Sequence, residues 1–189
     1  MTTTLILGGA RSGKSTFAQE LALKSAAPVL FVATAAPGDE EMRRRITKHQ
    51  QERPATWQTL EATTGIGRQI VEKIGRAETV LIDCITLLVS NILLPHSARA
   101  DAKIDTDLIE EEVKTEINEL VNCITRIPAH FIIVTNEVGL GIVPDNKISR
   151  LYRDLLGKAN QLLAEHADEV YFLATGIPVR IKPASNQMY

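Results

Sequence analysis

The chain alternates short, nearly continuous apolar runs with longer segments whose apolar positions recur every three to four residues. The short runs occupy residues 5–7, 29–34, 79–84, 130–136 and 169–175. Rich in Val, Ile and Phe, they are typical of strands covered on both faces. The longer segments predict helices at residues 14–26, 39–52, 64–75, 105–126 and 147–166, and another beginning at Ile85. Strands alternating with helices predict an α/β fold, with a mostly parallel sheet and helices on both faces.

Three segments fall outside the regular alternation of strands and helices. Residues 178–182 follow Gly176 and predict a short last strand, paired antiparallel with the preceding one in a C-terminal hairpin. Residues 95–102 have no periodicity and predict an exposed loop between two helices, and the polar residues 183–189 predict a loose tail. No repeat divides the 189 residues, so the length predicts a single domain, 1–189.

Composition excludes several classes of function. A net charge of -2 and 4% aromatic residues disfavour nucleic-acid binding, which needs a cationic surface and stacking side chains. No apolar run approaches the roughly 18 residues that span a bilayer, and the N-terminus lacks the basic region of a secretion signal. Cys84 and Cys123 form no C-x-x-C pair, which fits a reducing compartment. We therefore expect a soluble, cytoplasmic protein.

The strongest motif is a phosphate-binding loop of the pattern G-x-x-x-x-G-K-[ST]. Its residues, all candidates for nucleotide binding, are Gly8, Gly9, Ala10, Arg11, Ser12, Gly13, Lys14 and Ser15. Glycines let successive backbone N–H groups point at a polyphosphate, and the following helix adds its positive N-terminal end. Lys14 would reach the β and γ phosphates. The alternative is an ordinary glycine turn with a solvated Lys14. A strand-like run that stops at Gly8, with a helical pattern directly after the loop, favours the nucleotide site.

Asp83 is the candidate partner of this loop in binding Mg²⁺. It ends the apolar run of residues 79–84, and P-loop proteins place a carboxylate at the end of a neighbouring strand, where it holds the metal together with the loop hydroxyl, here that of Ser15. Asp83 also precedes the helix that begins at Ile85, so it could serve as an N-cap. Both roles are compatible.

His49 differs from the other three histidines in its neighbours. Arg45, His49 and Arg53 are spaced i, i+4, i+8, which on a helix forms one stripe beside Met42 and Ile46. A histidine between two arginines is a poor core residue and a good site for meeting an anion. The alternative is a solvated helix face on which three basic residues happen to align. His96, His130 and His166 lie in a predicted loop, at a strand start and at a helix end, where structural or solvent roles are expected.

Three segments together resemble one family. They are GGARSGKS, the spaced motif R-I-x-x-H-x-x-x-R-P-x-x-W-x-T-x-E from Arg45 to Glu61, and TNEVGLGIVP from Thr135 to Pro144. The chain is similar over residues 4–182 to the bifunctional adenosylcobinamide kinase and adenosylcobinamide-phosphate guanylyltransferase of cobalamin assembly. The resemblance implies a RecA-like P-loop NTPase fold and a homotrimer. It implies phosphorylation of adenosylcobinamide with ATP or GTP, then GMP transfer from GTP to that phosphate, giving adenosylcobinamide-GDP and pyrophosphate, with Mg²⁺ as cofactor.

The same resemblance assigns roles to residues. The family's guanylylated histidine falls on His49, and some members carry a second histidine just before it, where this chain has Lys48. Lys14 is the other expected catalytic residue. The resemblance implies further nucleotide contacts at Ala33, Thr34, Ala35, Gln50, Gln51, Glu52, Arg53, Glu61 and Asp83.

Two rival functions follow from the same residues. One is a small-molecule kinase with a single activity, in which His49 is a surface or phosphate-binding residue. The other is a nucleotide-gated switch, for which N-K-x-D and D-x-x-G are expected. Asn146-Lys147-Ile148-Ser149 lacks the aspartate of the first and residues 83–86 lack the glycine of the second, which disfavours the switch.

Overall fold

One seven-stranded sheet organises the computed structural model, which describes residues 1–38, 40–51, 53–97 and 105–183, without the side chains at positions 41, 42, 45, 48 and 49. Its strands are β1 (Thr3–Gly8), β2 (Val29–Ala33), β3 (Gln58–Glu61), β4 (Thr79–Asp83), β5 (His130–Val134), β6 (Glu169–Ala174) and β7 (Ile177–Lys182). Its helices are α1 (Lys14–Lys24), α2 (Glu40–Gln51), α3 (Ile66–Lys73), α4 (Ile85–Ser97), α5 (Thr106–Arg126) and α6 (Lys147–His166). The strand order is β3-β2-β4-β5-β1-β6-β7, and only β6 and β7 pair antiparallel.

Alternate residues of each central strand enter two different hydrophobic clusters, because successive side chains of a strand point to opposite faces. Leu5 and Leu7 of β1 pack with apolar residues of α3, α4, α5 and α6. Ile6 packs on the opposite face with Ala18 and Ala22 of α1. The prediction of a mostly parallel sheet with helices on both faces and a C-terminal antiparallel hairpin is therefore confirmed.

Two local predictions are wrong. β3 is not among the predicted strands, since it has four residues of which only Leu60 is buried, too few to show a pattern. The predicted loop at 95–102 begins too early: Pro95 and His96 belong to α4, which ends at Ser97. Tertiary contacts extend the helix, because Leu93 is buried and His96 Nε2 lies 2.7 Å from Glu112 Oε2 of α5. Residues 98–102 and 184–189 lie outside the described part of the chain.

Three smaller expectations are confirmed. His130 begins β5, and His166 ends α6, where the helix dipole favours a positive charge. Within the described ranges, no helix is both long and apolar enough to cross a membrane.

A buried carboxylate joins α3 to α5. The two oxygens of Glu116 accept hydrogen bonds from the N–H groups of Gly65 and Ile66, at 2.7 and 2.9 Å. These N–H groups lie at the start of α3, where N–H groups have no partner within the helix. The negative charge of Glu116 therefore lies at the positive end of the α3 dipole. Gly67 allows the close approach, since a Cβ at that position would lie 2.7 Å from the carbonyl oxygen of Glu119. Glu116 thus holds two helices in register.

We predict that Glu116→Ala lowers the free energy of unfolding by about 2–3 kcal/mol, because it leaves two N–H groups in a buried site without a partner. Urea unfolding followed by circular dichroism measures the change. Glu111→Ala is the matched control: Glu111 is exposed on the same helix, where it pairs with Lys114 on the surface, and its loss should change the stability by less than about 0.5 kcal/mol. Equal losses in the two variants would show that the bonds from Glu116 to the start of α3 add no stability of their own.

Candidate active site

A cleft of about 930 Å³ opens at the carboxyl ends of the central strands. Ala33 of β2 pairs in register with Asp83 of β4, Asp83 with Val134 of β5, and Val134 with Ile6 of β1, so four strands end at nearly the same level. All three of Ala33, Asp83 and Val134 line the cleft, together with the phosphate loop and one side of α2. In parallel α/β sheets this edge is where ligands bind.

The phosphate loop forms one wall of the cleft. Residues 10–16 line it directly, whereas Gly8 and Gly9 lie behind them. Gly13, which precedes α1, has φ 92°, a conformation that favours glycine, and its carbonyl accepts the N–H of Phe17 at 3.0 Å. The turn between β6 and β7 supports the loop from behind, because the Gly176 N–H donates to the Ser12 carbonyl at 2.9 Å. The loop is therefore held in shape by the hairpin.

Lys14 lies low in the cleft with little exposure to solvent. Its Nζ donates to the Gly9 carbonyl at 2.6 Å and to Ser12 Oγ at 3.4 Å, and 7% of the residue is exposed. Burial lowers the pKa of Lys14, while the Cys84 thiol and the Asp83 carboxylate act in the opposite direction. A partly desolvated ammonium interacts more strongly with an anion than a solvated one does. This placement suits a phosphate contact.

Ser15 and Asp83 line the same cleft, so a hydroxyl and a carboxylate face a common space. These are oxygen ligands of the kind that Mg²⁺ takes together with substrate phosphates, and the donor set fits that ion. Asp83 does not occupy the N-cap position, since the first hydrogen bond of α4 joins the Leu88 N–H to the Cys84 carbonyl at 3.3 Å. The N-cap alternative for Asp83 is therefore wrong.

Thr34 fastens β2 to the β4–α4 junction. Its Oγ1 donates to the Cys84 carbonyl at 2.7 Å and accepts from the Cys84 N–H at 2.8 Å. Its carbonyl accepts from Asn91 Nδ2 at 2.8 Å and its N–H donates to the Asp83 carbonyl at 3.3 Å. Thr34 is fully buried and does not line the cleft, whereas Ala33 and Ala35 do. Its hydroxyl, N–H and carbonyl are all bonded within the protein and hold the backbone of Asp83 and Cys84 in place.

The second wall of the cleft comes from α2 and the segment after it. Among the side chains of α2 that the structure describes, those of Arg43, Ile46, Thr47 and Gln50 line the cleft, and they recur at helical spacing on one side of the helix. Gln50 Nε2 donates to Glu61 Oε1 at 2.7 Å, which connects α2 to the end of β3. Glu61 lines the cleft as well. The short strand β3 thus places a carboxylate opposite the phosphate loop.

Arg53 stacks on an aromatic ring at the base of this wall. Its guanidinium carbon lies 3.9 Å from the centroid of the Phe31 ring, and Phe31 stacks with Trp57 at 6.3 Å. Nε of Arg53 is buried and has no hydrogen-bond partner in the described part of the chain. Burial lowers the pKa of Arg53, although Asp83 and Glu61 act to raise it. The side chain is held by packing, with its charge directed at the cleft.

The predicted stripe of Arg45, His49 and Arg53 is corrected in one respect. α2 ends at Gln51, so Arg53 lies beyond the helix and takes its position from the Phe31 ring instead of from helical spacing. His49 lies in α2 between Ile46 and Gln50, two residues that line the cleft. The structure does not describe the side chains of Arg45 and His49. Gln51 is exposed and does not line the cleft, and Glu52 is not described.

Several cleft residues were not predicted from the sequence. They are Thr16, Phe31, Pro37, Arg43, Ile46, Thr47, Cys84, Thr86, Leu87, Val134 and Asn136. Thr16 and Cys84 directly follow predicted site residues, and Val134 ends β5, so the carboxyl ends of β4 and β5 were a usable signal. Asn146, the first residue of the segment compared above with N-K-x-D, caps α6: its Oδ1 accepts from the Ser149 N–H at 2.7 Å. Asn146 therefore belongs to a helix cap and does not face the cleft.

Comparisons with known proteins agree with this geometry. A family model described as cobinamide kinase / cobinamide phosphate guanyltransferase matches residues 4–181. The chain is 40% identical over 179 residues to the bifunctional adenosylcobalamin biosynthesis protein CobU of Escherichia coli K12, covering 94% of this chain and 98% of that protein. It is 41% identical to the protein of the same description in Salmonella typhimurium LT2, with the same coverage. It is 38% identical to CobP of Pseudomonas aeruginosa, covering 94% and 96%.

Solved structures of low sequence identity share the fold. The flagellar accessory protein FlaH from Methanocaldococcus jannaschii aligns with a TM-score of 0.53 at 14% identity, covering 97% of this chain and 79% of FlaH. A protein of Pyrococcus horikoshii, PH0250, aligns with a TM-score of 0.56 at 10% identity, covering 98% and 88%. The arrangement of strands and helices in this chain is therefore shared with these proteins.

We predict that Arg53→Lys weakens GTP binding about tenfold, because an ammonium can neither stack flat on Phe31 nor offer a second aligned donor. Isothermal titration calorimetry with GTP and Mg²⁺ measures the change. Arg44→Lys is the matched control: Arg44 is exposed on α2, where it pairs with Glu40, so its replacement should change Kd less than about twofold. Unchanged binding in Arg53→Lys would contradict the role given to the stack.

We predict that Cys84 resists alkylation although it lines the cleft. Burial raises the pKa of Cys84 to about 12, and the negative charge of Asp83 acts in the same direction. At pH 8 only about one thiol in ten thousand is then a thiolate, the form that reacts. Iodoacetamide should modify Cys84 at least about 100-fold more slowly in the native than in the urea-unfolded chain, measured by peptide mass spectrometry. Equal rates would contradict the prediction.

The same shift affects stability. A thiol whose pKa is raised on folding stabilises the folded state below its ordinary pKa, and this contribution is lost as the pH rises to the folded value. The contribution of Cys84 should therefore decline between about pH 9 and pH 12.

Proposed function

The chain belongs to the cobinamide kinase / cobinamide phosphate guanyltransferase family, so it is an enzyme with both activities, and we propose that both use the cleft above the central strands. The observation that carries this proposal is the composition of the cleft. The phosphate loop forms one wall and the histidine-bearing helix α2 forms the other, across a single space of about 930 Å³. A nucleoside triphosphate bound to the phosphate loop would therefore extend towards α2.

In the kinase reaction a hydroxyl oxygen of adenosylcobinamide attacks the γ phosphorus of ATP or GTP. A bond forms between that oxygen and the phosphorus, the bond from phosphorus to the β–γ bridging oxygen breaks, and the hydroxyl proton leaves to solvent. Phosphoryl transfer asks mainly for positioning and for stabilisation of negative charge. Lys14 and the N–H groups of residues 10–15 provide both, and Ser15 and Asp83 would hold Mg²⁺, which neutralises phosphate charge.

In the guanylyl transfer an imidazole nitrogen of His49 attacks the α phosphorus of GTP and pyrophosphate leaves. A phosphate oxygen of adenosylcobinamide phosphate then attacks the same phosphorus, and the phosphorus–nitrogen bond breaks to give adenosylcobinamide-GDP. This divides one displacement into two easier ones. Support comes from α2, where Ile46 and Gln50 line the cleft on either side of His49 in the sequence. Arg53 would offset charge on the phosphates.

We also propose Mg²⁺ as cofactor and a homotrimeric assembly, both of which rest on the family resemblance. The two cysteines, which form no C-x-x-C pair, favour a cytoplasmic location. The chain's net charge of -2 and low aromatic content disfavour a nucleic-acid partner.

We predict that His49→Ala abolishes guanylyl transfer and keeps the kinase reaction. With α-labelled GTP and Mg²⁺, the native chain should carry an acid-labile, base-stable label after denaturation, as expected of a phosphorus–nitrogen bond, and His49→Ala should carry none. Guanylyl transfer should fall by about 10³-fold or more, because the nucleophile is missing, while phosphorylation of adenosylcobinamide stays within about fivefold.

His166→Ala is the matched control, because His166 is exposed at the end of α6 and should leave the label and both activities unchanged. A label that persists in His49→Ala would overturn the covalent route. Equal loss of both reactions would show that His49 serves nucleotide binding in general, as in the kinase with a single activity.

A further inference from the structure

Asn136 lies two residues after the end of β5 and lines the cleft. β5 lies between β4, which ends at Asp83, and β1, which leads into the phosphate loop. The Glu137 N–H donates to the Gly8 carbonyl at 3.0 Å, so the chain on the far side of Asn136 is fastened to the start of that loop. Asn136 therefore sits between the proposed metal carboxylate and the phosphate loop, and it lines the cleft.

Buried side chains hold the backbone of Asn136 on both sides. Its N–H donates to Thr86 Oγ1 at 2.8 Å, and its carbonyl accepts from Asn160 Nδ2 at 3.0 Å. Asn160 is itself fixed, because its Oδ1 accepts from Thr135 Oγ1 at 2.8 Å. Tyr152 OH donates to the Thr86 carbonyl at 3.1 Å. Thr86, Thr135 and Asn160 are 8%, 0% and 6% exposed.

Burying this many polar groups is costly unless each is bonded, and here the bonds of Thr86 and Asn160 hold the N–H and the carbonyl of one residue, Asn136. The consequence is that the Cα–Cβ direction of Asn136 is fixed relative to the phosphate loop. The carboxamide, by contrast, makes no hydrogen bond to any part of the chain that the structure describes. A preorganised backbone carrying an unused neutral donor at a phosphate site is the arrangement expected of a group that contacts the reacting phosphate.

We propose that the Asn136 carboxamide donates a hydrogen bond to the transferring γ-phosphoryl group in the kinase reaction. This rests on the proposed function of the cleft. The Asn136 amide exchanges no proton: it stabilises negative charge on a phosphoryl oxygen while the acceptor oxygen–phosphorus bond forms and the bond to the β–γ bridging oxygen breaks. The guanylyl transfer, which reacts at the α phosphorus, does not use this contact.

The test is Asn136→Ala in the full chain, with the two reactions assayed separately. The kinase is followed with γ-labelled ATP and adenosylcobinamide, and the transferase with GTP and adenosylcobinamide phosphate supplied directly. We expect the kinase kcat to fall about 30- to 300-fold with the KM for ATP changed less than about threefold, since the contact matters most in the transition state. Transferase activity should stay within about fivefold, which also shows that the variant folds.

Asn136→Asp separates charge from shape. The carboxylate is isosteric but repels the phosphoryl oxygens, so its kinase kcat should be lower than that of Asn136→Ala. Asn122→Ala, at an exposed asparagine on α5, is the control and should match the native chain. An unchanged kinase kcat, a change in KM alone, or equal loss of both activities would each overturn the proposal. A native chain without kinase activity would instead overturn the proposed function.

Discussion

The pairing of β1 between β5 and β6 is the constraint on which the site depends. All six residues of β1 are buried, and the strand bonds to parallel neighbours along both edges. Because β1 cannot shift without breaking two sets of hydrogen bonds, the phosphate loop at its end has a fixed origin. The β6–β7 turn contacts the same loop through Ser12 and Gly176, so the hairpin at the edge of the sheet also supports nucleotide binding.

The charges of the cleft are arranged for a polyanion. Arg11, Lys14, Arg43 and Arg53 line it together with the acidic Asp83 and Glu61. Burial lowers the pKa of both Lys14 and Arg53, while Asp83 favours the charged form of each. A triphosphate that enters brings more negative charge to groups that are already partly desolvated, where Coulomb interactions are strong. The same balance of charge suits the two proposed reactions, one at the γ phosphorus and the other at the α phosphorus.

Buried polar residues behind the strand ends keep these groups in place. Thr34 binds the backbone at Cys84, and Thr86 and Asn160 bind the backbone at Asn136. None of these contacts shows in a hydrophobic pattern, yet they decide where the ends of β4 and β5 project. Catalysis by positioning depends on such supporting contacts, because a loosely held group must be ordered again in each turnover.

The sequence by itself determined the order of helices and of every strand except β3, the antiparallel hairpin and the phosphate loop, because apolar periodicity and a glycine motif are local properties. The motif around His49 and the segment from Thr135 to Pro144 together indicated the family. Only the tertiary structure decided the contacts between residues that are distant in the sequence. Only one residue of β3, Leu60, is buried, which is too little to form a recognisable pattern in the sequence. The strand forms because the edge of β2 supplies its hydrogen-bond partners. Arg53 owes its place to the Phe31 ring, more than twenty positions away in sequence. Asn136 lines the same cleft as the phosphate loop only because β5 lies beside β1. Such neighbours meet through strand pairing and packing, which no single segment encodes.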